Sequence, residues 1–284
     1  MNRSIEDIIR KALEEDIQTG DLTTRATIPN DVSAEGKFLV KADGIIAGLE
    51  IAEKVFRIFD EKIAFNKNLI DGSFVKKGTI AAIVLGRAAS LLTAERTALN
   101  FLQRMSGIAT LTNAFQQRIN HTKAKILDTR KTVPGLRELD KLAVKIGGGK
   151  NHRFGLFDMF LIKDNHIAVA GSITKAVQAC IEYRNKKNSA LLIEVETTNL
   201  EQVQEALNAN ADIIMLDNFQ VDMMKEAVKL VNGKCKLEAS GGITLETVKQ
   251  IAETGVDYIS SGALTHSVKA LDISLEISIL KSTR

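Results

Sequence analysis

Short apolar runs alternate with amphipathic helical segments over the second half of the chain. From about residue 110 onward, several apolar runs have the length of buried strands, and the residues between them repeat apolar side chains at helical spacing. The predicted strands are Lys125–Asp128, Met159–Lys163, Leu191–Glu196, Ile213–Asp217, Lys234–Ala239 and Asp257–Ser260. Right-handed crossovers place such strands in one parallel sheet or barrel, so the pattern predicts an α/β fold.

Polar or small residues follow the predicted strands at nearly constant spacing. Glu196, Asp217, Ser240 and Gly262 are separated by 21, 23 and 22 residues, which is the length of one βα unit. In α/β barrels the C-terminal ends of the strands carry the chemistry. We therefore expect these residues to lie together at one edge of a barrel.

The first hundred residues do not alternate in this way. Apolar residues from Ile5 to Leu13 repeat at helical spacing and predict an amphipathic opening helix. A polar, turn-rich segment is expected at 15–24, and strand-like stretches lie at 36–42 and 79–85. The pattern predicts a β-rich packing domain before the alternating region.

A further helix is predicted from Thr93 to Met105. Its apolar residues share one face, and Arg96 lies nearly opposite that face on a helical wheel. The apolar face consists of Ala98, Phe101, Leu102 and Met105. We expect Arg96 to point away from the core of its own domain, toward solvent or toward a partner.

Composition narrows the class of protein. A chain of 284 residues with 45% hydrophobic and 26% charged residues is typical of a globular protein with one large or two ordinary domains. The longest apolar run, Ile80 to Leu85, is too short to cross a bilayer, and the N-terminal residues lack the apolar centre of a secretion signal. Cys180 and Cys235 stand apart and are expected to be reduced core residues, without a disulfide or zinc. We therefore expect a cytoplasmic protein.

Positive charge is concentrated in one stretch of the chain. The net charge is only +3, but the interval from Lys123 to Lys163 holds ten Lys or Arg against four Asp or Glu. A net charge this small, with 5% aromatic residues, argues against a nucleic-acid binder. Cations concentrated at turns and strand ends of a packed domain indicate a small ligand with several negative charges.

Arg130, Arg153 and Lys163 are the best candidates for binding such a ligand. Arg binds carboxylates in a bidentate manner and Lys supplies a point charge. His152 joins them because it precedes Arg153 in a glycine-rich loop. The alternative is a set of structural salt bridges, for which the available partners are Asp128, Glu194 and Asp164.

Two further groups complete the candidate site. Glu196 and Asp217 end neighbouring predicted strands, where two carboxylates can hold Mg²⁺, directly or through water, and bind ribose hydroxyls; the alternative is a helix N-cap role. Ser240, Gly241 and Gly262 begin loops that lead into helices, which is the usual phosphate site of a barrel.

Seven motifs together resemble the quinolinate phosphoribosyltransferase family over essentially the whole chain. The most specific are Asp-Thr-Arg-Lys-Thr-Val-Pro-Gly-Leu-Arg at 128–137, Gly-Gly-Gly-Lys-Asn-His-Arg at 147–153 and Leu-Ile-Lys-Asp-Asn-His at 161–166. The others lie at 15–23, 95–100, 238–243 and 261–266. One mild departure is Thr197-Thr198, where relatives often carry apolar or acidic residues.

This resemblance implies an architecture and an assembly. It implies an N-terminal α/β sandwich over 1–109, joined by the C-terminal tail at about 274–284, and an open seven-stranded α/β barrel over 110–273. Only six of the seven strands are found from periodicity. The family is dimeric, sometimes further assembled, and each site is completed by the N-terminal domain of the neighbouring subunit, which gives the outward-pointing Arg96 a role.

The resemblance also implies a reaction. Quinolinate and phosphoribosyl pyrophosphate would give nicotinate mononucleotide, pyrophosphate and CO₂ in the de novo synthesis of NAD, with Mg²⁺ as cofactor. Lys131, Glu196 and Asp217 would be catalytic, and Glu196 and Asp217 would hold Mg²⁺. The residues implied for quinolinate are Arg96 of the partner subunit, Thr129, Arg130, His152, Arg153 and Lys163. Those implied for phosphate and ribose are Lys131, Glu196, Asp217, Ser240, Gly241, Gly262 and His266.

Two alternative functions remain at the level of sequence. One is a paralogue with the same fold, either a molybdenum-transport-associated protein or a nicotinate phosphoribosyltransferase. Nicotinate has a single carboxylate and would not need so many cations. The other is a non-catalytic module that binds anions or nucleic acid.

Overall fold

A computed structural model describes residues 5–29 and 31–280. The helices are Ile5–Ile17 (α1), Leu22–Thr27 (α2), Leu49–Phe59 (α3), Ala88–Ile119 (α4), Arg137–Ile146 (α5), Asp164–Ala170 (α6), Ile173–Lys186 (α7), Leu200–Asn208 (α8), Val221–Val231 (α9), Val248–Ala252 (α10) and Ala263–His266 (α11). The strands are Ser33–Val40 (β1), Gly44–Ile45 (β2), Ala64–Lys67 (β3), Phe74–Val75 (β4), Ile80–Arg87 (β5), Lys125–Leu127 (β6), Phe160–Ile162 (β7), Ile193–Thr197 (β8), Ile213–Asp217 (β9), Lys236–Ser240 (β10), Tyr258–Ser260 (β11) and Ile273–Ile279 (β12).

The chain divides into two compact units whose boundaries differ from the predicted ones. The first unit contains the residues up to Asn113, then 133–148, then the C-terminal segment from Val268; the second contains 114–132 and 149–267. The boundary predicted after residue 109 falls inside α4, because the helical periodicity continues across it without a break. Residues 281–284 of the predicted tail lie outside the described residues.

The first unit is built on an antiparallel sheet in the order β12-β1-β5-β3, with β2 and β4 forming a separate pair. The rings of Phe38, Phe56 and Phe65 contact one another in its core. The predicted opening helix is confirmed as α1, and the two strand-like stretches are confirmed as β1 and β5. The expected turn segment at 15–24 is wrong at both ends, because α1 continues to Ile17 and Asp21 caps α2 by accepting a hydrogen bond from Thr24 N at 2.9 Å.

All six strands predicted from periodicity are confirmed in the second unit. They form one parallel sheet in the order β6-β11-β10-β9-β8-β7. The expected seventh strand is reduced to a single bridge, in which Lys150 pairs with Leu127 in parallel orientation. One pairing residue is too short to produce a hydrophobic period, which explains why this strand could not be predicted from periodicity.

The two faces of this parallel sheet differ sharply. Ile193, Val195 and Ile214 are fully buried on one face, as expected where helices cover a sheet. Successive side chains alternate between faces, so Glu194 and Glu196 point to the other face. The strand pairing then places four neighbouring polar residues on that same face, namely Lys163, Asp217, Glu238 and Ser240.

The predicted helix around Arg96 is part of α4, which is much longer than the sequence indicated. Its predicted apolar face is confirmed, since all four side chains are buried, and Arg96 is exposed as expected. Among the described residues, no helix is both long enough and apolar enough to cross a membrane. Cys180 and Cys235 are free thiols. Both were expected in the core but are only half-buried, and burial raises the pKa of the Cys235 thiol to about 11.

A buried ion pair explains why 133–148 groups with the first unit. Asp140 of α5 is fully buried and accepts two hydrogen bonds from Arg104 of α4, each at 2.8 Å. Such a bidentate contact joins two helices that are far apart in sequence. No local pattern marks it, so the sequence assigned this segment to the barrel.

Replacing Asp140 with Ala should lower the free energy of unfolding by about 3–5 kcal/mol, because the Arg104 charge loses its bidentate partner. Chemical denaturation measures this change. Asp222→Ala is the control, because its ion pair with Lys225 is exposed and should contribute about 0–1 kcal/mol. Equal effects of the two substitutions would contradict the structural role of Asp140.

Candidate active site

The predicted site residues of the second unit lie at the C-terminal edge of the parallel sheet. Lys163 directly follows β7, and Glu196 is the second-last residue of β8. Asp217 and Ser240 end β9 and β10 and are paired with each other in register. Thr129 follows β6 and accepts a hydrogen bond from Lys131 N at 3.0 Å, which holds that turn. The prediction that the C-terminal edge gathers these residues is confirmed by the strand ends.

Lys163 forms an ion pair with Glu196 on the neighbouring strand. Neither side chain is fully buried, and the main-chain N–H of Lys163 donates to His166 Nδ1 at 3.0 Å at the start of α6. If the cations formed only structural salt bridges, the expected partners were Glu194, Asp128 and Asp164. The partner of Lys163 is instead the carboxylate that the resemblance assigns to ribose and Mg²⁺.

Arg153 has an unused hydrogen-bond donor. Its Nη1 donates to the Met159 carbonyl at 3.3 Å, whereas its buried Nε has no hydrogen-bond partner in the described part of the chain. Burial lowers the pKa of Arg153, and the nearby Arg130 guanidinium lowers it further. A buried donor without a partner beside a second cation is costly unless an anionic ligand binds there.

His152 is a neutral residue in this arrangement and not one of the cations. Its Nδ1 accepts a hydrogen bond from the main-chain N–H of Arg153 at 2.8 Å, so Nδ1 carries no proton. The ring proton therefore lies on Nε2, which is 2.9 Å from Glu194 Oε2. The sequence-based interpretation of His152 as part of the positive cluster is corrected accordingly.

Two buried carboxyl groups lie beneath the cations. Glu194 and Glu238 are both inaccessible to solvent, and burial raises the pKa of each to about 8. Neither oxygen of Glu238 accepts a well-formed hydrogen bond among residues 5–29 and 31–280, although Ser260 and Glu194 lie near enough to act on its carboxyl. Glu238 was not among the residues predicted for the site, although its parity with Ser240 on β10 indicates that both side chains point to the same face.

The cluster of His152, Glu194 and Glu238 has ligand atoms within 4.8 Å of one another. A metal bound through Nε2 would require the ring proton to lie on Nδ1, where the Arg153 N–H is directed. The hydrogen bond that Nδ1 accepts from Arg153 N therefore opposes a metal at Nε2 in this cluster.

Glu196 and Asp217 fit Mg²⁺ better. Neither is a helix N-cap, since α8 is capped by Asn199 and α9 by Gln220, so the alternative interpretation of these two residues is wrong. Both are half-exposed carboxylates on the polar face of the sheet. Mg²⁺ commonly binds one or two carboxylates and completes its octahedron with water and substrate phosphates.

The residues implied for phosphate binding approach one another closely. A Cβ atom on Gly262 would lie 2.9 Å from Lys131 Cδ and from His266 Cδ2, so only glycine leaves this space. The Lys131 carbonyl also accepts a hydrogen bond from Thr265 at 2.7 Å. Gly241 has a φ of +91° beside Asn218, a conformation that favours glycine and turns the chain after Ser240.

The six-stranded parallel sheet and the polar and basic residues at its C-terminal edge define an enzyme of the α/β-barrel class. A family model described as the N-terminal domain of quinolinate phosphoribosyl transferase matches residues 21–106, and the model of the C-terminal domain matches 108–276. The chain belongs to the quinolinate phosphoribosyltransferase family.

Individual relatives agree with this assignment. The chain is 50% identical to a protein of rice (Oryza sativa subsp. japonica) named nicotinate-nucleotide pyrophosphorylase [carboxylating], chloroplastic, over 95% of this chain and 76% of the relative. It is 47% identical to a probable nicotinate-nucleotide pyrophosphorylase of Bacillus subtilis, over 93% of this chain and 90% of the relative. The crystal structure of NadC from Streptococcus pyogenes superposes with a TM-score of 0.93 at 39% identity, over 98% of this chain and 97% of that one.

Glu238→Gln should flatten the dependence of stability on pH. Between about pH 5 and pH 8 the folded carboxyl keeps a proton that the unfolded chain, with an ordinary pKa of about 4.3, has released. The folded state then binds more protons, so the free energy of unfolding of the unmodified protein falls as pH rises through this interval. Glutamine removes this contribution.

Urea denaturation at several pH values between 5 and 8 measures the slope. The control is Glu226→Gln, which changes an exposed carboxyl on α9 and should leave the slope unchanged. If the Glu238 variant kept the full slope, the buried carboxyl would not be the source of the dependence.

Proposed function

We propose that this protein transfers the phosphoribosyl group of phosphoribosyl pyrophosphate to quinolinate and releases CO₂, giving nicotinate mononucleotide and pyrophosphate for NAD biosynthesis. The observation that carries the proposal is the buried, unpartnered Nε of Arg153 beside Arg130, in a chain of this family. Quinolinate has two adjacent carboxylates, and it would compensate two guanidinium groups that otherwise repel each other.

Substrate binding by these side chains supplies position and charge. Arg130 and Arg153 would hold the two carboxylates in bidentate fashion, and Lys163 would add a third cation. Thr129 and His152 would border the pyridine ring, and Arg96 of the partner subunit would close the site. The ring nitrogen is then held against the anomeric carbon, which removes the entropy cost of bringing two substrates together.

The second substrate would lie across the ends of β9, β10 and β11. Gly241, Gly262, Ser240 and His266 would surround the 5′-phosphate, and Glu196 and Asp217 would bind the ribose hydroxyls. Lys131 would neutralise charge that develops on the leaving pyrophosphate. Mg²⁺, held by Glu196 and Asp217 with water and substrate oxygens, would supply further charge neutralisation on that group.

Decarboxylation needs no covalent intermediate with the protein. Once the ring nitrogen carries the ribosyl group, the pyridinium ring stabilises the electron pair left at the ring carbon when CO₂ departs, and a proton then adds to that carbon to give the nicotinate ring. The 3-carboxylate remains to be held by the arginines throughout. A lysine Schiff base is therefore unnecessary in this reaction.

Assembly and location belong to the same proposal. A homodimer with a shared site is supported by the exposure of Arg96 and by family membership. Cytoplasmic location is supported by the free thiols of Cys180 and Cys235, which suit a reducing compartment. The rice relative is named as chloroplastic and a tobacco relative as mitochondrial, so compartment differs within the family.

Purified protein with phosphoribosyl pyrophosphate and Mg²⁺ should convert quinolinate to nicotinate mononucleotide with stoichiometric CO₂. Nicotinate should give essentially no turnover, because it lacks the second carboxylate. Chromatography of the nucleotide and trapping of labelled CO₂ measure both reactions. Comparable rates with nicotinate would favour the paralogue, and salt-sensitive binding of generic DNA without turnover would favour a binding module.

Arg153→Ala should reduce kcat/KM for quinolinate by on the order of 10²-fold or more, because a buried charge partner of the substrate is lost. Steady-state kinetics with each substrate varied in turn give this value. Lys225→Ala on α9 is the control, since its ion pair is exposed and it should change kcat/KM by less than about twofold. An unchanged kcat/KM in the Arg153 variant would remove Arg153 from the site.

Mixed dimers test the shared site. Arg96→Ala and Lys163→Ala should each be inactive alone, whereas a mixture allowed to exchange subunits should recover activity, because some dimers then contain one intact site. Native mass spectrometry verifies the exchange. Absence of recovery after verified exchange would place Arg96 outside the site of the partner subunit.

A further inference from the structure

The His152 ring is held by protein atoms on both sides. Its side chain is only 7% exposed, and Nδ1 and Nε2 are both used, by Arg153 N and Glu194 Oε2 respectively. In this arrangement neither nitrogen is directed at a ligand. The ring nonetheless contacts the main chain of Arg153, whose guanidinium belongs to the predicted anion site. His152 can therefore act on that site indirectly, through Arg153.

We propose that Glu194 and His152 form a positioning pair that fixes Arg153 for diacid binding. Glu194 holds the ring through Nε2–H, and the ring accepts from the Arg153 main chain through Nδ1. The chain of contacts runs from the middle of β8 to the main-chain N–H of Arg153. The identity of the diacid rests on the function proposed above, whereas the positioning pair itself requires only that the cluster binds a dianion.

The segment that carries Arg153 has no regular structure of its own, so it depends on such contacts. Residues 151–159 belong to no helix or strand. Upstream, Lys150 N donates to the Ile126 carbonyl at 2.8 Å, and His152 N donates to the Asp128 carboxylate at 2.9 Å. These two contacts fix the path of the main chain as far as His152. The ring contact extends the same fixation by one residue, to Arg153.

Tautomer control is the physical basis of the proposal. A neutral imidazole has one donor and one acceptor, and the hydrogen bond at one nitrogen decides the state of the other. The carboxyl of Glu194 accepts from Nε2 and thereby leaves Nδ1 free to accept from Arg153 N. Without an acceptor at Nε2, the proton can move to Nδ1, where it would meet the Arg153 N–H.

Two substitutions at one position separate the hydrogen bond from the charge. Glu194→Gln keeps a carbonyl oxygen that can accept from Nε2–H, so KM for quinolinate should stay within about threefold. Glu194→Leu removes the acceptor, and KM for quinolinate should rise on the order of 10- to 100-fold, because a displaced binding group loses its alignment. KM for phosphoribosyl pyrophosphate should change less than about threefold in both variants.

Glu238→Gln is the matched control. Glu238 Oε2 lies 3.6 Å from the same Nε2, so this carboxyl is buried in the same cluster but is not the hydrogen-bond partner. Its replacement should leave KM for quinolinate within about threefold. Equal increases of KM in Glu238→Gln and Glu194→Leu would show a general disturbance of the core and would overturn the proposal, as would an unchanged KM in Glu194→Leu.

Nuclear magnetic resonance of the unmodified protein tests the tautomer independently of activity and of variant folding. Long-range proton–nitrogen spectra of the four histidines, assigned with the variant His152→Gln, should show His152 protonated on Nε2 alone near neutral pH. A ring protonated on Nδ1, or on both nitrogens, would overturn the proposal. Loss of the Nε2 proton on addition of Mg²⁺ or Mn²⁺ would show a metal ligand and would overturn it too.

Calorimetric binding of phthalate, a diacid without the ring nitrogen, separates this inference from the proposed reaction. Phthalate affinity should fall on the order of 10-fold or more in Glu194→Leu and be retained in Glu194→Gln. If the protein bound phthalate in this pattern but did not convert quinolinate, the reaction would be refuted and the positioning pair supported. If it converted quinolinate but Glu194→Leu bound phthalate normally, the pair would be refuted alone.

Discussion

The repulsion between Arg130 and Arg153 is the constraint on which the rest of the site depends. Burial already lowers the pKa of Arg153, and the second guanidinium lowers it further, so the protein keeps two cations together in an unfavourable state. The charges of Glu194 and Asp158 offset part of this repulsion, but neither carboxylate occupies Arg153 Nε. The unpartnered Nε indicates that further relief is left to a ligand.

The acidic layer beneath the cations follows from the same constraint. Glu194 and Glu238 lie on the polar face of the sheet, deeper than Glu196, and burial raises their pKa values to about 8. Carboxyl groups that keep their proton to a higher pH repel an anion bound above them less than ordinary carboxylates would. A layer of apolar side chains would pack equally well, but it would offer no acceptor for His152.

Periodicity was sufficient to predict the strands and the edge at which the site lies. The six strands of the parallel sheet and the outward direction of Arg96 were predicted from hydrophobic spacing alone. This was possible because an element that is buried on one face needs apolar residues at regular intervals. Hydrogen bonds between residues distant in sequence impose no such period. Three features therefore could not be predicted from the sequence. They are the pairing of Lys163 with Glu196, the Arg104–Asp140 contact that groups 133–148 with the first unit, and the neutral state of His152.

The neutral ring and the internal ion pair change how selectivity for a diacid is explained. Sequence reasoning counted Arg130, Arg153, Lys163 and His152 as four positive groups, which would favour any anion. In the structure both nitrogens of His152 are used by protein atoms and Lys163 is paired with Glu196, so the repulsion between the Arg153 and Arg130 guanidinium groups is the charge interaction that an anion would relieve. A monoacid can place its carboxylate against only one guanidinium group, so part of the repulsion remains. A dianion can place one carboxylate against each. Under the proposed function, discrimination between quinolinate and nicotinate therefore arises from the repulsion between these two guanidinium groups, and a site with more positive groups beside them would select less well.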